Sequence, residues 1–258
     1  MVTKSGTTLF AAALLAAGCA AVGTASATTV NVQFLVTGGN TATSFSGSQG
    51  AYTGDGLSAP TWNVLSVANN ATSGSASNLV ASNGTATSEA VGFTMTGGYV
   101  STATTTFGNG GGTNDLFQSY ILNNPGTGTV TLTGLAASGS YQLYLYSGSG
   151  SYNNAATNFA ITTGSGSVAT GSNAGVVNVA GANTGFGENT NYVVFNATAD
   201  GTGTLAISYT GAAGPEADIN GLQIISTANA VPLPSTLALT LSGMLGLGLL
   251  LMQRKASA

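Results

Sequence analysis

Residues 129–146 read TVTLTGLAASGSYQLYLY, and both ends of this stretch alternate between polar and apolar side chains. Residues 129–133 and 141–146 follow a period of two, which is typical of a β-strand with one buried face. The Gly- and Ser-rich residues between them are turn formers. The stretch therefore predicts two half-buried strands joined by a turn.

The same pattern recurs along the chain. Residues 30–36 and 204–209 also alternate, and turn residues separate most of the shorter apolar runs. Those runs predict further strands at residues 62–67, 92–96, 116–122, 158–162, 175–179, 192–196 and 219–225. So many short strands predict an all-β fold, an antiparallel jelly-roll-like β-sandwich. A parallel β-helix is the alternative, but it needs a repeated motif, and the calcium-binding-type repeat at residues 108–115 occurs once.

The charged residues are few and unevenly placed. All seven acidic residues lie within residues 28–230, whereas the three basic ones, Lys4, Arg254 and Lys255, lie outside, and the chain has no histidine. No nucleic acid is expected as a partner, because Lys and Arg are needed to neutralise its phosphates. Without Cys, His or Lys in this region, the usual nucleophile-base pairs and zinc ligand sets are also missing.

We therefore expect a protein that is not an enzyme. Two carboxylates alone can hydrolyse a glycosidic bond, so a glycoside hydrolase or polysaccharide lyase is the catalytic alternative. Its candidate pairs are Glu216 with Asp218 and Asp55 with Asp115.

The segment Glu216-Ala217-Asp218-Ile219-Asn220-Gly221 has oxygen-bearing side chains at alternate positions. Glu216, Asp218 and Asn220 resemble the start of a calcium loop, and Ca²⁺ takes roughly six to eight such oxygens. The alternative is two solvated acids that lead into a strand, with Asn220-Gly221 as a turn or bulge. A structural Ca²⁺ is thus the only cofactor that the sequence suggests.

Aromatic residues provide a second candidate site. Side chains of a strand point alternately to its two faces, so Tyr144 and Tyr146 share a face from which Tyr141 points away. Together with Trp62, Tyr52 or Tyr152, the pair Tyr144 and Tyr146 can form an amphipathic platform for a sugar ring. Packing in the core is the alternative for each of these side chains.

The N-terminus has the features of a secretory signal peptide at residues 1–27. Lys4 precedes an apolar run, and Ala25 and Ala27 form a small-x-small cleavage site. Lipidation at Cys19, which follows Ala-Ala-Gly, is the alternative. Cleavage after Ala27 removes the only cysteine of the chain.

The C-terminal residues 229–258 contain three parts in sequence. Pro232 and Pro234 favour an extended stretch that a protease can enter. Residues 237–252 carry no charge. As a helix they would span roughly 24 Å, so we expect a transmembrane helix at about residues 236–252. Arg254 and Lys255 form the basic end that sets orientation in the membrane.

This tail resembles the PEP-CTERM sorting domain of exported bacterial proteins. The resemblance is carried by Val231, Pro232, Pro234, Ser235, Thr236, Arg254 and Lys255, with Leu233 where the family usually has Glu. It implies an exosortase-like membrane protease as a partner and an inner-membrane anchor before processing. It also implies a final location at the cell surface or in the extracellular matrix, in association with extracellular polysaccharide and biofilm.

Residues 28–228 are thus expected to form the exported β domain. Within it, residues 129–225 resemble malectin-like and galactose-binding-like jelly rolls in the order of a Gly-Leu turn, a Tyr-rich strand and a closing Asn-Gly. This resemblance implies carbohydrate binding. Ice binding is the alternative, because threonines cluster at residues 102–106 and alternate at 129–133, where a strand would align their hydroxyls and methyls.

Overall fold

The computed structural model describes residues 28–37, 50–96, 101–102, 116–117, 119–123, 126–148, 156–171, 176–177, 186–212 and 216–227. Residues Ala27–Thr227 form one compact unit. No helix within the described ranges is long and apolar enough to cross a membrane. Outside these ranges lie Cys19, Ala25, Ala27, Asp115, Tyr152, most of the 102–106 threonine cluster, the sorting residues 231–236, the expected transmembrane helix, Arg254 and Lys255.

The alternating segments form β-strands, fifteen of them in the described part of the chain. Their bounds are β1 (Thr29–Thr37), β2 (Trp62–Ala68), β3 (Ser73–Ala76), β4 (Ala90–Thr96), β5 (Ser101–Thr102), β6 (Ser119–Asn123), β7 (Thr127–Thr133), β8 (Ser140–Tyr146), β9 (Thr157–Thr163), β10 (Ser165–Val168), β11 (Val176–Val177), β12 (Tyr192–Thr198), β13 (Leu205–Gly211), β14 (Ala217–Ile219) and β15 (Gly221–Ser226).

The strands form two large sheets and one small sheet. Sheet A has the order β10-β12-β8-β15-β1-β2, sheet B has the order β11-β9-β13-β7-β4-β3, and β14-β6-β5 form the third sheet. Among the described strands, every neighbouring pair is antiparallel except β1 and β2, which are parallel. The predicted all-β fold with antiparallel sheets is therefore confirmed. A parallel β-helix, the alternative fold, does not fit because nearly all of these strand pairs are antiparallel.

Inward side chains of both sheets share one hydrophobic core. Val32, Phe34 and Leu143 enter it from sheet A, and Val130 and Leu132 enter it from sheet B. All five are completely buried, and each such burial stabilises the fold by roughly 1.5–3 kcal/mol. Sheets A and B therefore pack face to face in the manner of a β-sandwich.

Three strands were not predicted from the sequence. They are β3, β5 and β10, and they consist almost entirely of Ser, Gly, Ala and Thr. Ser, Gly and Ala, which make up most of these strands, carry little strand preference of their own. Pairing with β4, β6 and β12, respectively, makes them strands.

The predicted strand at residues 219–225 is divided at Asn220. Its carboxamide Oδ1 accepts a hydrogen bond from the Gly148 amide at 2.6 Å, and its Nδ2 donates to the Ser119 carbonyl at 3.0 Å. The chain leaves the third sheet before Asn220 and joins sheet A after it. The chain thus turns at Asn220 from one sheet into another, and residues 219–225 do not form one continuous strand.

Candidate functional site

Strand alternation divides the tyrosines of β8 between the two faces of sheet A. Tyr141 points into the shared core, and its hydroxyl accepts a hydrogen bond from the Ala136 amide at 2.8 Å. Tyr144 and Tyr146 pack together in a separate cluster on the outer face. This is the arrangement that the period of two predicts.

The outer face of sheet A carries a cluster of aromatic side chains, which we call the aromatic face. Sequence reasoning selected Trp62, Tyr144 and Tyr146 for sugar binding, and the fold brings all three into this cluster. The members of the aromatic face are Tyr52, Trp62, Phe117, Tyr144, Tyr146, Phe186 and Tyr192.

Three of these rings form a row that reaches the surface. The ring centroids of Tyr52 and Tyr144 are 5.8 Å apart. Those of Tyr144 and Tyr192 are 5.7 Å apart, with 32° between the ring planes. All three side chains are only half-buried, so part of each ring is open to solvent. We call Tyr52, Tyr144 and Tyr192 the tyrosine row.

Tyr146 and Trp62 are buried members of the aromatic face. Tyr146 is completely buried, and its ring centroid lies 5.9 Å from that of Tyr192 and 5.3 Å from that of Phe186. Trp62 is only 9 % exposed. The burial of these two side chains matches the core-packing alternative, which leaves surface contact to the tyrosine row.

A buried hydrogen-bond network holds a loop against the aromatic face. The Tyr146 hydroxyl donates to Gln223 Oε1 and accepts from the Ala51 amide at 2.7 Å. Gln223 Oε1 also accepts from the Tyr52 amide at 3.0 Å, and Gln223 Nε2 donates to the Tyr52 carbonyl at 3.2 Å. These bonds fix the backbone of Ala51 and Tyr52, and they hold the Tyr52 ring beside Tyr144.

Two residues of the tyrosine row, Tyr144 and Tyr192, have a raised pKa beside the exposed Glu188. Burial raises the pKa of Tyr192 above its ordinary value, and the nearby Glu188 carboxylate raises it further. Burial likewise raises the pKa of Tyr144, with smaller contributions from Tyr192, Tyr52 and Glu188. Burial raises the pKa of Tyr146 most strongly, although the Ala51 amide opposes the shift. Neutral phenols can donate and accept hydrogen bonds.

A groove of about 510 Å³ extends the same face towards the other end of β8 and β12. Ser140 of β8 pairs with Thr198 of β12, and both line the groove. Ser140 is four residues from Tyr144, a separation of roughly 14 Å along a strand. The polar side chains in the lining are Ser140, Ser165, Ser167, Asn196, Thr198 and Thr227.

Sequence reasoning did not assign Tyr192 to the site. Tyr192 lies directly opposite Tyr146 in the pairing of β12 with β8. It begins a predicted strand, so its strand position was visible in the sequence. The residues that contact Tyr192 in the folded protein could not be predicted from the sequence. The reason is that β8 and β12 are distant in the chain and their register depends on the assembled sheet.

The residues suggested for Ca²⁺ lie around β14. Asn220 Oδ1 accepts the Gly148 amide and is therefore engaged with the backbone. Asp218 is completely buried, and Glu216 is partly exposed. Within the described ranges, no group of three or more His, Cys, Asp or Glu side chains is arranged to hold a metal ion. A structural Ca²⁺ bound by these residues stays a prediction.

The carboxylates considered for catalysis occupy different environments. Asp218 is buried, whereas Asp55 is partly exposed. A further carboxyl in a perturbing environment is that of Glu89, which sequence reasoning did not select. Burial raises the pKa of Glu89 to about 7. One of its oxygens is buried without a hydrogen-bond partner in the described part of the chain.

No family model, curated protein or solved structure matches this chain. The case for a function therefore rests on the chemistry of the described surfaces and on the two terminal segments.

Proposed function

We propose that the protein is an exported, non-enzymatic cell-surface or extracellular-matrix protein that binds neutral extracellular polysaccharide. The observation that carries this proposal is the tyrosine row, in which three half-exposed rings follow one another at centroid distances of 5.8 Å and 5.7 Å. The proposed fold is a jelly roll of the malectin-like kind, with the binding surface on the outer face of sheet A.

The chemistry of the tyrosine row suits a sugar ring. A pyranose has an apolar face of C–H groups and a rim of hydroxyls. Tyrosine rings bury apolar surface and keep a polar hydroxyl in contact with water or a ligand. Ligand sites commonly combine such apolar contact with a few polar groups that fix orientation. Here the tyrosine row supplies the apolar contact, and the Ser, Thr and Asn side chains of the groove supply the polar groups that fix orientation.

The charge of the domain favours a neutral ligand. Residues 28–230 contain no Lys, Arg or His. Glu188 is exposed and close enough to the row to affect the pKa of Tyr144 and Tyr192. An anionic polysaccharide would therefore meet a like charge and no compensating cation.

The terminal segments supply the route to the polysaccharide in this proposal. The signal peptide directs export, and the helix at about residues 236–252 anchors the precursor in the inner membrane. Residues Val231 to Thr236 are presented to an exosortase-like protease, after which the protein reaches the surface or matrix. Deleting the exosortase gene of the producing strain should leave the protein in the membrane, and the mass of the mature chain will show whether residues 235–258 are removed.

Substitution in the tyrosine row tests the binding function. For the full-length chain, Tyr144→Ala and Tyr192→Ala should each weaken binding to the strain's own exopolysaccharide about tenfold, equivalent to about 1.4 kcal/mol. Thr131→Ala on the outer face of sheet B is the matched control and should bind like the wild type. Retention on neutral glycans can be measured on an array and by titration calorimetry. Failure to bind any neutral glycan, or equal binding by all three variants, would count against the proposal.

Ice binding is the second candidate, and the outer face of sheet B favours it. On β3, β4, β7, β13 and β9, every outward residue is Thr, Ser, Ala, Gly or Asn. We call this surface the hydroxyl face. Ser73, Thr94, Thr129, Ser208 and Ala160 lie side by side across the five strands.

The hydroxyl face is a regular array of short side chains. Neighbouring strands are about 4.8 Å apart, and outward residues on one strand are about 6.8 Å apart. Threonine is stiff about χ1, so its hydroxyl and methyl keep fixed positions. Such an array can hold ordered water at low entropic cost. Thr131→Lys should abolish thermal hysteresis, whereas Thr198→Lys on sheet A should not. A wild-type chain without thermal hysteresis would exclude this candidate.

A further inference from the structure

The aromatic face and the groove beside it form one continuous surface along β8 and β12. Four outward pairs follow one another in the register of these strands: Tyr146 with Tyr192, Tyr144 with Val194, Gln142 with Asn196, and Ser140 with Thr198. From Tyr192 to Thr198 this surface extends for roughly 20 Å along the strand. Its chemistry changes from aromatic through amide to hydroxyl along that length.

The middle of this surface is a pair of carboxamides. Gln142 is half-buried and Asn196 is exposed, and the two residues lie opposite each other. The Tyr144 hydroxyl donates to Gln142 Oε1 at 3.4 Å. Because the Gln142 oxygen is turned towards Tyr144, its Nε2 is left to donate to a ligand. Asn196 adds one carboxamide oxygen and two further N–H donors.

We propose that this surface binds a linear neutral glycan chain along β8 and β12, with Gln142 and Asn196 as the specificity-determining residues. One sugar unit stacks on Tyr144 and Tyr192. The carboxamides of Gln142 and Asn196 hydrogen-bond the vicinal hydroxyls of the next unit, since an amide offers a donor and an acceptor side by side. A further unit lies in the groove against Ser140 and Thr198.

The shape and charge of the groove agree with this occupant. Its volume of about 510 Å³ falls within the range of roughly 300–1,000 Å³ that is common for small-ligand sites. Its polar lining consists of hydroxyl and amide groups, which match the hydroxyls of a sugar and leave no unpaired charge.

This inference rests on the proposed function and extends it from the stacking of one sugar unit on the tyrosine row to the recognition of several linked sugar units. It predicts that affinity rises with the number of linked sugar units. The test uses the full-length chain with a series of neutral oligosaccharides from one unit to six, cut from the glycan that the wild-type protein retains. Binding is measured by titration calorimetry for the wild type, Asn196→Leu and Gln142→Leu.

The expected result is that the wild type gains affinity up to the trisaccharide, one unit for each of the three positions along the surface. Asn196→Leu and Gln142→Leu should lose most of that gain with chain length. Asn158→Leu, an exposed strand asparagine on the outer face of sheet B, is the matched control and should keep the full length dependence.

Two results would overturn the inference. The first is wild-type binding that depends on Tyr144 but does not change with chain length, which would leave the proposed function intact. The second is an unchanged length dependence in both the Asn196→Leu and Gln142→Leu variants. About tenfold weaker binding in Tyr144→Ala, together with length-dependent binding in the wild type, supports both proposals. A wild type that binds no member of the series contradicts both.

Discussion

The outer faces of sheets A and B differ in how far their side chains are buried and hydrogen-bonded to other parts of the protein. The aromatic face of sheet A stands on Tyr146 and Gln223, which are buried and bonded to a loop that crosses the sheet. The hydroxyl face of sheet B carries short side chains that are mostly exposed. The same alternation rule produces both faces, but among the described residues it is the aromatic face that has a second layer of packing outside the main core.

Because of this difference, substitutions on the hydroxyl face should have little effect on stability, whereas substitutions on the aromatic face should affect both ligand binding and stability. A side chain of the hydroxyl face can be replaced with little loss of buried contact. A side chain of the aromatic face supports its neighbours, so its removal changes both the platform and the free energy of unfolding.

The largest effect is expected for Tyr146→Ala. The substitution empties a fully buried site and removes the partner of the Ala51 amide and of Gln223. The free energy of unfolding should fall by about 3–5 kcal/mol, as for other large aromatic truncations. It can be measured by urea denaturation of the full chain.

Two controls sharpen this measurement. Tyr146→Phe keeps the ring and should cost about 1–2 kcal/mol, because only the hydroxyl is lost. Thr131→Ala on the hydroxyl face should change stability by about 0.5 kcal/mol or less. Equal effects of Tyr146→Ala and Thr131→Ala would remove the proposed contrast between the faces.

An intermediate effect is expected from the titration of Glu89, whose carboxyl lies near the hydroxyl of the inward-facing Tyr141. Burial raises its pKa from 4.5 to about 7. The folded state therefore binds a proton that the unfolded state has lost between these two values. The contribution of Glu89 to stability should be greatest below pH 4.5 and should fall as the pH rises to about 7, by about 1–3 kcal/mol after allowance for solvent screening.

The control for this pH effect is Glu89→Gln, which cannot ionise. Its urea midpoint should vary less between pH 5 and pH 8 than that of the wild type. Glycan binding by the tyrosine row should be unaffected by this substitution, because Glu89 is not part of the aromatic face. A variant with the wild-type pH dependence would show that another group is responsible.

The smallest of the three effects is expected for Gly50→Ala. A methyl group at Gly50 would approach the Gln223 carboxamide to 2.5 Å, and that carboxamide is held by Tyr146 and Tyr52. We expect a loss of about 1–2 kcal/mol together with weaker glycan binding, because the loop that bears Tyr52 must shift.

Gly201→Ala is the matched control for Gly50→Ala. A methyl group at Gly201 would meet no atom within 4 Å, so stability should stay within about 0.5 kcal/mol of the wild type. If Gly50→Ala left both stability and glycan binding unchanged, the loop would not be fixed by Gln223 in the way described above.

Much of the fold was readable from periodicity. The segments at residues 129–133 and 141–146 became parts of β7 and β8, and the predicted division of Tyr141 from Tyr144 and Tyr146 is confirmed. Periodicity did not reveal β3 or β10, whose Ser and Gly residues become strands through pairing with β4 and β12. It also did not reveal the corner at Asn220, which depends on hydrogen bonds to Gly148 and Ser119.

The candidate site was readable only in part. Trp62, Tyr144 and Tyr146 were selected as aromatic residues of predicted strands, and they do lie in one cluster. Two of them proved to be buried support, while Tyr52 and Tyr192 complete the surface row. Exposure cannot be read from residue type alone, because it depends on which loop covers which strand.

The sequence by itself determined the all-β class, the absence of basic residues from residues 28–230 and the two faces of each regular strand. These properties are local, since composition and a period of two do not depend on distant residues. Only the tertiary structure decided which strands are neighbours, and therefore which outward side chains meet. Tyr52, Tyr144 and Tyr192 are far apart in the chain, and they form one row because a buried tyrosine and a buried glutamine hold a distant loop against sheet A.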